Sequence, residues 1–71
     1  MPKVEVIVKV EKEYKGKLAE IAGECKAAGM TVEQQMSALA MISGSVERAN
    51  IKRLEGIEGV SYVEESKSIS I

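Results

Sequence analysis

The chain has 71 residues, with 10 basic and 11 acidic side chains, no histidine, one cysteine, and Tyr14 and Tyr62 as its only aromatics. That length sets one domain with a thin, marginally stable core, which must be built from Val, Ile, Leu, Met and Ala. A net charge of −1 without a basic stripe argues against nucleic acid as the main partner, and no apolar run approaches the length of a membrane span.

Val4, Val6, Val8 and Val10 alternate with Lys3, Glu5, Ile7 and Lys9. This period of two predicts a first strand with its valine face in the core. Ile7 then stands in the middle of the charged face, where it matters only if that face docks on something. Glu11 to Lys17 reads as a charged connection loosened by Gly16. Leu18, Ile21, Ala22, Cys25 and Ala28 follow helical spacing, so an amphipathic helix is expected, with Gly29 as its stop. Met30 to Met36 reads as the second strand, and Ser37 to Ala40 as a hairpin connection. Met41 to Val46 is the third strand, with Ile42, Gly44 and Val46 on one face. A glycine there points to a bulge or a close backbone approach.

Glu47 to Glu55 is expected to form a second helix with Ile51 and Leu54 facing inward. Glu47 stands near the positive end of its dipole. Gly56 and Gly59 are suited to the positive φ of a helix stop and a tight turn. Val60 to Glu64 is the fourth strand, and Glu64 and Glu65 put two carboxylates where it leaves the body. Ser66 to Ile71 alternates polar and less polar residues, which predicts an extended tail.

The order βαββαβ predicts a ferredoxin-like α+β sandwich: a four-stranded antiparallel sheet with two helices on one face. Residues 1–71 form a single domain with 66–71 as its C-terminal tail. Strands one and three are expected to be central and, through a crossover, parallel. Enzyme chemistry finds little to work with. No histidine offers a general base, and Cys25, on the apolar stripe of the first helix, reads as a buried structural thiol. A lone cysteine excludes an internal disulfide, and no zinc, other metal or cofactor is expected. The first loop lacks the arginine of acylphosphatases and the cysteine pair of metal-carrying modules of this fold. The central strands lack the aromatics that stack RNA bases. Met30, Met36 and Met41 read first as core filling and second as an adaptable binding surface, and Tyr62 reads equally as an interface aromatic or as a core residue with its hydroxyl at the rim. The N-terminus shows no apolar signal region, so a cytoplasmic setting is the default expectation, with excision from a secreted precursor as the alternative.

Several segments together resemble a known family: Ile42-Ser43-Gly44-Ser45-Val46, then Ile51 with Leu54, then Gly56 to Gly59, then Val60-Ser61-Tyr62-Val63-Glu64. They resemble the propeptides of subtilisin-like serine proteases and the small stand-alone inhibitors related to them. The resemblance implies a non-enzymatic inhibitor or folding chaperone. Its open sheet face, carrying Ile7 and Tyr62, would pack on two parallel surface helices of the protease. Glu64 and Glu65 would cap the N-termini of those helices, where unpaired N–H groups and positive potential favour a carboxylate. The tail would enter the active-site cleft by backbone pairing, with Ser68, Ile69, Ser70 and Ile71 lying there as a product does. The alternative expectation is a small regulatory module of the same fold, binding a small ligand at its strand–helix loops or associating with its own copy as a homodimer.

Overall fold

The structure, a computed structural model, describes residues 3–65. Four strands, β1 (Lys3–Val10), β2 (Thr31–Met36), β3 (Met41–Glu47) and β4 (Val60–Glu65), alternate with two helices, α1 (Leu18–Ala27) and α2 (Ile51–Glu55), in the order βαββαβ. The sheet order is β2-β3-β1-β4, and every neighbouring pair is antiparallel. This is the expected ferredoxin-like arrangement, with one correction. β1 and β3 are the central strands, but they run antiparallel. The reason is directional: α1 returns the chain so that β2 runs with β1, and the short connection to β3 reverses it. Each crossover therefore skips one strand.

Alternation in β1 works as the valine pattern predicts. Val6, Val8 and Val10 are buried, Val4 is half-buried, and Ile7 lies between them on the other face. They meet Leu18, Ile21, Ala22 and Cys25 of α1, Ile42 and Val46 of β3, and Leu54 of α2 in one cluster. The cluster holds no aromatic ring, and among the described residues no polar or charged residue is buried. Small side chains on α1 let it sit close against the sheet.

α1 ends in a Schellman motif. The Met30 N–H donates to the Cys25 carbonyl at 3.0 Å and the Gly29 N–H to the Lys26 carbonyl at 3.0 Å, with Gly29 at φ +101°. Met30 and Cys25, the pair that brackets such a motif, are both buried. Met30 therefore belongs to the helix cap and points into the core, where the sequence pattern places it as the first residue of a strand. Gly56 also departs from expectation: it ends α2 at φ −86°, and the positive φ falls on Gly59, at +96°.

The charged connections are more ordered than composition implies. Lys12–Lys17 winds into a 3-10 helix, as do Ser37–Leu39 and Arg48–Asn50. The second helix is thus a 3-10 turn followed by a five-residue α-helix, with Leu54 as its buried residue.

Candidate docking face

Both helices cover one face of the sheet, and among the described residues no element covers the other. The registers align two rows of side chains across that open face. One row runs Gln34, Ser43, Ile7, Glu64, and the next runs Met36, Met41, Lys9, Tyr62. Ile7, Met36 and Met41 are half-buried, and Tyr62 is 51% exposed. A methionine pair and a tyrosine are residue types that protein interfaces enrich; Lys9 stands between Met41 and Tyr62 in their row, and Gln34 and Glu64 lie on the edge strands. Met36 and Met41 are therefore surface residues of this face, and only Met30 fills the core. Tyr62 takes the first of its two readings in position: it lies on the open face.

The pleat separates the two carboxylates. Glu64 stands opposite Ile7 on the open face, while Glu65 stands opposite Val6, on the helix side. There a Glu65 carboxylate oxygen lies 3.3 Å from an Arg48 guanidinium nitrogen. Arg48 is 72% exposed, so this pair contributes no more than about 1 kcal/mol. Its effect is positional, tying the end of β4 to the entry of α2. Ser68, Ile69, Ser70 and Ile71 lie outside the described residues. Sequence reasoning puts Lys9 beside Ile7 on the charged face and favours core filling for Met36 and Met41; it misses Gln34 and Ser43 as members of the docking face. The signal was present in β3, where Met41, Ser43 and Ser45 alternate with the buried Ile42, Gly44 and Val46.

Two other polar features stand on the helix side. The Tyr14 hydroxyl donates to a Glu58 carboxylate oxygen at 2.8 Å, joining the first connection to the turn before β4. That bond and the charge of Glu58 raise the Tyr14 pKa. Cys25 is fully buried, and burial, with a smaller effect from Glu24, pushes its thiol from 9.0 up to about 11. A neutral, inaccessible thiol is a poor nucleophile. Among the described residues, no group of three or more histidine, cysteine or carboxylate side chains is placed to hold a metal ion. No helix among them is long and apolar enough to cross a membrane.

The Cys25 shift carries a stability prediction. The folded chain holds this proton more tightly than the unfolded chain does. Stability is therefore full below pH 9.0 and falls as pH rises toward about 11. The loss is on the order of 2 kcal/mol. Cys25→Ala should flatten that alkaline slope in urea titrations at successive pH values; an unchanged slope would assign it to other groups.

Comparison with protein-family models, with curated proteins and with solved structures found no match in any of the three.

Proposed function

We propose that this chain is a non-enzymatic protein-binding module of the propeptide-like kind, docking on a subtilisin-like serine protease. The observation that carries this reading is the uncovered sheet face, on which Ile7, Tyr62 and Glu64 occupy neighbouring positions. The strand that bears Tyr62 and Glu64 is also the one that leads into the C-terminal tail. Glu64, free of the helix side, is the carboxylate aimed at helix N-termini of the partner. Glu65 holds the strand end through Arg48 instead.

Area argues that face and tail act together. Four strands about 4.8 Å apart and about six residues long offer roughly 400 Å². A stable complex covers about 800 Å² per partner. The sheet face thus supplies about half, and on this reading residues 66–71 would supply the rest by pairing in the active-site cleft. No covalent step is involved.

The test is inhibition of a subtilisin by the purified chain, with its intact mass followed over hours. Saturable inhibition by a surviving chain is expected. A chain ending at Glu65 should keep its circular dichroism spectrum and lose inhibition. Tyr62→Ala should weaken binding by about 1–3 kcal/mol, as loss of an interface aromatic does. Rapid digestion without inhibition sinks this reading for subtilisins. Met36, Met41 and Tyr62, in one row with Lys9, support a second reading, self-association through the same face, and a concentration-dependent dimer in sedimentation would then carry it.

A further inference from the structure

A second site lies at the far end of the sheet from the tail. β4 leaves beside Val6, whereas this site gathers around Val10. It is a cleft of about 340 Å³ between the 3-10 helix Lys12–Lys17 and the 3-10 turn Ser37–Leu39, lined by Lys9, Lys12, Lys15 and by Val10, Ala38, Leu39 and Ala40. Its lining is thus three lysines and four apolar residues, of which Ala38 and Leu39 are exposed. Glu11 and Glu13 are neighbours in sequence but do not line it.

The local geometry explains that sorting. A 3-10 helix repeats every three residues, so side chains at i and i+3 eclipse. Lys12 and Lys15 therefore stand one above the other over the cleft. Tyr14 and Lys17 form another row and face a separate groove containing Glu58. Among the described residues, none of the three cleft lysines has a carboxylate within salt-bridge distance. Lys9 donates one hydrogen bond to the Leu39 carbonyl at 2.7 Å, which leaves two of its three donors.

The apolar side is equally particular. Leu39 is 54% exposed, the largest exposure of any bulky apolar residue described. Ala40 is left-handed at φ 54°, a conformation disfavoured for a residue with a Cβ. Its carbonyl accepts the Val10 N–H at 2.8 Å, which fixes the turn against the end of β1. Hydrogen bonding thus holds open a cleft with a cationic wall and an apolar wall.

We propose that this cleft binds a small organic monocarboxylate, with its carboxylate between the lysines and its short apolar stem along Leu39 and Ala38. Charge complementarity sets the head, and the exposed leucine sets the stem. A cleft at the lower end of ligand-site volumes sets the size. The cleft shares Lys9 with the docking face, but its other lining residues lie outside that face and the proposal does not rest on protease binding.

Titration of the isotope-labelled full chain with hexanoate, followed by amide NMR, tests this. Saturable shifts are expected at residues 12, 15 and 38–40. Inorganic phosphate has the charge without the stem, and 1-hexanol the stem without the charge; each should bind about tenfold more weakly. The double variant Lys12→Gln/Lys15→Gln, changed at two exposed positions, should keep the native spectrum and weaken hexanoate by about tenfold. Three results would overturn the proposal: no saturable shift at these amides at millimolar hexanoate, equal responses to phosphate and hexanoate, or hexanoate binding unaffected by the double variant.

Discussion

Gly44→Ala should cost about 2–4 kcal/mol, out of a total that for a domain of this size is about 4–10 kcal/mol. Gly44 sits in the middle of β3, opposite Val32 of the edge strand. A Cβ placed there would run into the Thr31 carbonyl oxygen and lie 2.9 Å from the Met30 Cε. The methionine methyl can swing aside, but the carbonyl belongs to the backbone and cannot move without moving β2. The variant must therefore open the β2–β3 ladder or lift Met30 out of the core. Urea unfolding by circular dichroism should show the midpoint fall accordingly. Gly23→Ala is the contrast: a Cβ on that helical residue meets nothing within 4 Å. It should gain about 0.5–1 kcal/mol through helix propensity. Equal midpoints for the two variants would mean that β2 does not pack as described.

Leu54→Ala should be at least as damaging, at about 2–5 kcal/mol. α2 has five residues, far too few to be helical on its own account. It exists because Leu54, fully buried, pins it to the sheet, with Ile51 and Ile57 packed at the margin. Without that side chain the helix, the following turn and the register of β4 lose their common anchor. Most molecules should lose β4 pairing under conditions where the parent is folded, which hydrogen exchange of the β4 amides would reveal. A loss below about 1 kcal/mol would mean that α2 is held by something other than Leu54.

Much of this architecture is legible in the amino-acid sequence. The valines of β1 alternate without a break, and the apolar stripe of α1 holds from Leu18 to Cys25, because burial on a single face leaves a periodic trace. Periodicity records which face is buried, not which way a strand runs, so the β1–β3 direction follows only from counting reversals of the chain. Met30 reads wrongly as a strand residue because a buried residue in a helix cap and one at the start of a strand look alike in composition. The 3-10 segments leave no such trace because their residues are nearly all exposed. On the candidate face, Ile7, Tyr62 and Glu64 can be read from strand alternation. The separation of Glu64 from Glu65 follows from the same alternation, yet a pair of adjacent acids invites reading as one unit.

The absence of any ring from the core has an optical consequence. The chain has no tryptophan, so its intrinsic emission comes from Tyr14 and Tyr62 alone. Tyr14 is hydrogen-bonded to the carboxylate of Glu58, an arrangement that quenches tyrosine, and unfolding releases it. Tyr62 is open to solvent on the uncovered sheet face and changes its surroundings when something settles there. Emission from a Tyr62→Phe chain therefore follows folding, and emission from a Tyr14→Phe chain follows occupation of the face.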